Sequence, residues 1–155
     1  MFKKLYDDIV RQISAEDSAA DDRDAAIRMA TAVLMVDVAL VDDRFDEDEF
    51  DRMLGLVRDH FGLGTQDAAE LINAANAKAD DLISVHELTK LLHEHLSHEE
   101  KARVVGLLWS IAYADGQLDK YENSLVLKVS DLLYVSRGLV MRLKHDAEIA
   151  AAVDR

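Results

Sequence analysis

Two short acidic stretches carry the residues best suited to chemistry. In the first, Asp42, Asp43, Asp46, Glu47, Asp48, Glu49 and Asp51 stand against the single Arg44. In the second, Asp115, Asp119 and Glu122 stand near Lys120. Both fit one pattern, Ala-x-x-Asp-x-x-(Phe/Leu)-Asp-x-x-Glu, running from Ala39 to Glu49 and from Ala112 to Glu122. Carboxylate oxygens are hard ligands and suit calcium or magnesium. Like charges at this density destabilise a fold unless something neutralises them, and a bound cation would do so. The candidate metal ligands are therefore Asp42, Asp46 and Glu49, with Asp115, Asp119 and Glu122.

A plainer reading competes with this one. Asp46 with Glu49, and Asp119 with Glu122, each fit a helix N-cap followed by an acid three residues on. Negative charge is favourable there. Asp42 and Asp115 fit capping less well. Each falls in the last turn of a helix or just beyond, where the helix dipole disfavours an acid by ~0.3–1 kcal/mol. The loop is not an EF-hand, which needs acids at positions 1, 3 and 5, Gly at 6 and Glu at 12. Counted from Asp46, position 5 is Phe50 and position 6 is Asp51. A different loop, with fewer protein ligands and more waters, would hold the ion.

The elements that position these acids read as helices. The chain has 155 residues and no proline. Ordinary usage would supply about eight prolines, and helix interiors are where proline is excluded. Apolar spacing predicts an opening helix over 2–13 and a long one over 22–41, apolar almost all round from Ala30 to Leu40. Further helices are predicted over 46–61, from a Thr65 cap to 77, to His95, over 98–114, over 119–134 and from a Ser136 cap towards Val153. Ser84 with Glu87, and Ser97 with Glu100, read as capping boxes. The fold class is all-α, a bundle of about seven to eight helices.

The two acidic patterns belong to an internal repeat with a constant offset of 73 residues. Asp42 aligns with Asp115, Asp46 with Asp119 and Glu49 with Glu122. Downstream, Met53, Leu54, Leu56 and Phe61 align with Val126, Leu127, Val129 and Tyr134. Each half reads as an apolar helix, an acidic turn and an amphipathic helix, and the two pack as a pseudo-symmetric pair. The chain then divides as one domain over 1–155. Residues 1–21 form an N-terminal helix and acidic linker, 25–63 repeat one and 65–96 connecting helices. Residues 98–135 form repeat two and 136–155 a C-terminal helix.

Composition limits the partners. Formal charge is −13, which argues against nucleic acid and against anionic membrane surfaces. It favours cations or basic partners. The longest uncharged apolar run, Val104 to Ala114, is eleven residues. A membrane span needs about twenty. Lys3 and Lys4 are followed by Asp7 and Asp8 before any apolar stretch forms, unlike a secretory leader. A cytoplasmic location is expected. With no cysteine, disulfides, thiolate zinc sites and cysteine nucleophiles are excluded.

The repeated turn after an apolar helix resembles the tellurite-resistance TerB-like family. Ala112-Tyr-Ala-Asp-Gly-Gln-Leu-Asp-Lys-Tyr-Glu122 is the best match, and the resemblance spans about residues 25–134. It implies a compact helical bundle and two acidic clusters that bind divalent cations. It also implies a role in stress response or as an accessory or sensor domain. By position it carries over to Asp42, Asp46 and Glu49, and to Asp115, Asp119 and Glu122. One departure is Asp43, where glycine is usual. The resemblance supplies no reaction, and without cysteine this chain alone cannot reduce tellurium oxyanions through thiols.

Other constellations read as structural. His93, His95 and His98 read as a solvated helix end, and no H-E-x-x-H motif is present. Trp109 reads as packing, and Asp37 as lying on a solvated stripe. Arg137, Arg142, Lys144 and His145 read as surface charge. The first functional expectation is therefore a non-enzymatic domain that binds calcium or magnesium at two acidic turns and signals to a protein partner. The alternative is an acidic protein–protein interaction module without metal. A metal-dependent hydrolase ranks last, because no additional general base accompanies the carboxylates.

Overall fold

A computed structural model describes residues 20–40, 47–79, 84–114 and 118–153, with backbone alone for 20–23 and 79. Seven helices occupy the described residues. They are α1 (Ala20–Leu40), α2 (Glu47–Phe61), α3 (Thr65–Ala79), α4 (Val85–His95), α5 (His98–Ala112), α6 (Lys120–Leu132) and α7 (Arg137–Val153). No strand occurs among the described residues. The all-α expectation holds. The helix expected over 2–13 lies outside the described residues.

The core forms around α1 and α5. From Ala30 to Ala39, every α1 residue except Asp37 is buried. A helix apolar on all sides has no solvent face to offer and must be surrounded. It packs on α2, α3, α4, α5 and α6. On α5, Val104, Val105, Leu107, Leu108, Trp109, Ile111 and Ala112 are buried, and α7 covers its outer side. Thr31 is tolerated in the core because its hydroxyl donates to the Ile27 carbonyl at 2.9 Å.

The helix ends follow local chemistry. Ser97 accepts from the Glu100 N–H at 3.2 Å, and Glu100 Oε1 accepts from the Ser97 N–H at 2.8 Å. That closes the expected capping box. Ser84 also caps its helix, accepting from His86 and Glu87 N–H groups, but Glu87 does not reciprocate. Ser136 accepts from the Leu139 N–H at 3.4 Å and caps α7 as expected. Thr65 was expected as a cap. It is instead the first residue of α3, and Gly64 supplies the first helical acceptor, to Ala68.

The repeat reaches further than the sequence reading placed it. Offset by 73, the first residues of α1, α2 and α3 would fall at 93, 120 and 138, close to α5, at α6 and close to α7. The contacts agree. α1 packs on α3 as α5 does on α7, and α2 packs on α5 as α6 does on α1. Each copy is thus three helices, related by an approximate two-fold between α1 and α5. Among the described helices, only α4, against α1 and α6, lacks a counterpart.

Candidate metal centre

The repeat brings equivalent acids of its two copies to one cavity. Glu49 and Glu122 each lie in the first turn of their helix. Both line a single small cavity with Ala39, Met53, Ile111 and Ala114. Its volume is about 10 Å³, close to what one water or one small ion requires. The walls are the C-terminal ends of α1 and α5 and the N-terminal ends of α2 and α6. Glu122 is 5% exposed. Oε2 of Glu49 and Oε1 of Glu122 are withdrawn from solvent. No basic residue is among the lining residues.

Asp119 is the N-cap of α6, and its Oδ1 accepts from the Tyr121 N–H at 2.6 Å. The capping reading therefore holds for this residue, and it uses one of the two carboxylate oxygens. Asp42, Asp46 and Asp115 lie outside the described residues. Among the described residues, no three His, Asp or Glu side chains gather as a metal-ligand group. Glu49 and Glu122 can supply hard oxygen donors from two sides, which fits calcium or magnesium chemistry and not a soft metal. The sequence reading treated the two turns as separate. Its missed signal was the repeat itself, since residues equivalent under a two-fold meet when they lie near the axis.

Three side chains differ from expectation. Asp37 is not on a solvated stripe but half-buried between core residues of α1, and desolvation raises its pKa from 3.8 to about 7. It does not line the cavity, because it lies two residues, about 200°, around the helix from Ala39. His93 is not a solvated helix end. Its Nδ1 lies 2.6 Å from Nζ of Lys101, which is 7% exposed, and its ring lies against Tyr134 at 4.6 Å. Tyr134, which the constant offset paired with Phe61, instead matches Gly62. Both hold left-handed backbone, at φ of 59° and 67°, one residue past the cap of their helix. Leu63 donates to Arg58 and Val135 donates to Ser130, the same closing bond in each copy. The second copy is therefore one residue shorter here, and Phe61 matches Leu133.

Other expectations stand. Trp109 is fully buried, with the Lys144 ammonium 5.4 Å above its ring. Arg137 pairs with exposed Asp131 at 3.3 Å, as surface charge. Among the described residues, no helix is long and apolar enough to cross a membrane.

A search of curated proteins and a search of solved structures found no match. A family model described as tellurite resistance protein TerB matches residues 28–145. That span takes in both acidic turns and six of the seven helices entirely or in large part, from α1 into α7. The resemblance carried by Ala39–Glu49 and Ala112–Glu122 is borne out, and the chain belongs to the TerB family.

Proposed function

We propose that this chain binds a divalent cation, calcium or magnesium, at the end of the bundle where its two copies meet. The observation that carries the reading is that Glu49 and Glu122, equivalent in the repeat, line one cavity. Two carboxylates lining one small cavity repel when both are charged, and a cation between or beside them removes that repulsion. In this reading Asp42 and Asp46 serve with Glu49, and Asp115 and Asp119 serve with Glu122. The ion ties α2 to α6 across the axis and fixes their angles to α1 and α5. The role is non-enzymatic. A protein partner in the cytoplasm reads the ion-bound state, in a stress response or as an accessory sensor.

Calorimetric titration of metal-free protein with calcium, then magnesium, manganese and zinc, tests this. Saturable binding weakened in both Asp42→Asn and Asp115→Asn is the expected result. No heat, and no rise in melting temperature at millimolar ion, would overturn it. The acidic face would then be a docking surface for a basic partner, with salt-sensitive binding at unchanged metal content.

A further inference from the structure

Three of these helices, α1, α2 and α5, line a second and larger cleft at their other ends. Its volume is about 250 Å³. From Ala39, which lines the acidic cavity, to Thr31, which lines this one, is about 12 Å along α1 at 1.5 Å per residue. Ile27, Phe61, Leu96 and Val104 supply an apolar wall. Arg28 from α1, Arg103 from α5 and His60 from α2 supply polar groups from three directions.

The balance of charge here is unlike the rest of a chain of net charge −13. Asp24 and Glu100 also line the cavity. Glu100 is committed to the Ser97 N–H in the capping box, which lowers its pKa. Arg103 pairs with exposed Glu99, at 4.0 Å, and its charge also acts on Glu100. Such a pair is worth little. Among the described residues, Arg28 forms no salt bridge. Two guanidinium groups are thus available from two helices. The N-terminal halves of α1 and α5 open on this end, and helix N-termini favour anions.

We propose that this cleft binds a small organic anion, an oxyanion head group of the carboxylate or phosphate kind on a short apolar body. Arg28 and Arg103 hold the head group from opposite walls, since a guanidinium matches two oxygens at once. Phe61, Leu96 and Val104 cover the apolar part. The volume admits only a small molecule, as it lies below the usual range for drug-sized ligands. His60 adds a pH dependence. Burial first, and the Arg103 charge second, lower its pKa. A bound anion opposes both by favouring the imidazolium. Affinity therefore rises as pH falls through the His60 titration, with Asp24, Arg28, Glu100 and Arg103 facing it from α1 and α5. The site is independent of the cation reading, which concerns the opposite ends of these helices.

The test is nuclear magnetic resonance titration of the full chain with butanoate and, separately, with inorganic phosphate. Saturable shifts at His60, Thr31 and Phe61 are expected, with little change at Glu49 and Glu122. Affinity should weaken about tenfold in Arg28→Gln and in Arg103→Gln. Arg103 is 67% exposed and Arg28 is half-buried, so the variants should keep the wild-type spectrum elsewhere. Binding of butanoate alone assigns a carboxylate ligand, and of phosphate alone a phosphate ligand. Shifts that fail to saturate by about 50 mM, or that persist unchanged in both variants, would overturn the proposal.

Discussion

Gly62 and Tyr134 occupy the same left-handed backbone position, at φ of 67° and 59°, one after each copy of the amphipathic helix. Only the first is a residue suited to it. A side chain in that region costs roughly 1–2 kcal/mol. Gly62→Ala should therefore lower stability by about 1 kcal/mol, read by urea denaturation. Tyr134→Gly should raise it by less than that, because the ring contact with His93 is lost at the same time. If Gly62→Ala proves neutral, the left-handed assignment at that helix end is wrong.

The shared acidic cavity predicts a reversal with metal. In chelator, Glu122→Gln should melt higher than wild type, since a carboxylate is removed from a crowded site. With calcium at about 5 mM the order should invert, because the variant binds about tenfold more weakly. Glu49→Gln should behave likewise. Melting curves in the two conditions decide it, and parallel shifts for variant and wild type would mean that no cation binds there.

Asp37 predicts a pH dependence of the opposite sign to an ordinary carboxylate. Its folded pKa of about 7 lies above the unfolded value of 3.8. The folded state holds the proton longer, so stability falls as pH rises from about 4 to about 7, then levels. Asp37→Asn mimics the protonated form. It should match wild type near pH 4 and exceed it at pH 8 by ~1–3 kcal/mol. Equal stability at both ends would place Asp37 in water.

Lys101 and His93 predict a tautomer. A charged ammonium only donates, so Nδ1 of His93 must accept and the ring proton must sit on Nε2. Imidazole nitrogen shifts should report the Nε2–H tautomer. Lys101→Met should release that preference. A His93 ring protonated on both nitrogens would exclude the pair as described.

The two serine caps should differ. Ser97→Ala breaks a reciprocal box and should cost about 1 kcal/mol. Ser84→Ala should cost less, as Glu87 does not return the bond. Thermal denaturation of the pair ranks them.

Much of this architecture is legible in the order of residues. The run from Ala30 to Leu40 announces a surrounded helix, and Ser97 with Glu100 announces where the next core helix begins. What is not legible depends on approach in space. Thr65–Ala79 and Arg137–Val153 share little sequence, and only their common packing on the core helices pairs them. Asp37 looks solvated on a helical wheel, but α1 is covered on every side. Glu49 and Glu122 are easily recognised as equivalents, yet nothing in their spacing says that they line one cavity. Arg28, His60 and Arg103 come from three helices and have no motif at all.

The missing residue between α2 and α6 records where this chain can change length. From Glu47 to Gly62 the first copy takes one step more than the second takes from Lys120 to Tyr134. One residue turns a helix by about 100°, so the following segment must swing to keep its buried side inward. Ala68 and Ala75 in one copy, and Val140 and Ala147 in the other, still reach the core. The amphipathic helix itself absorbs the insertion, since the closing bonds already match Arg58 with Ser130, 72 apart, while Glu49 and Glu122 stand 73 apart. No such freedom exists inside α1, where the same single insertion would rotate half of the helix out of register with five neighbours. Length variation among homologues should therefore gather within 50–57 and 123–129 and avoid 30–39.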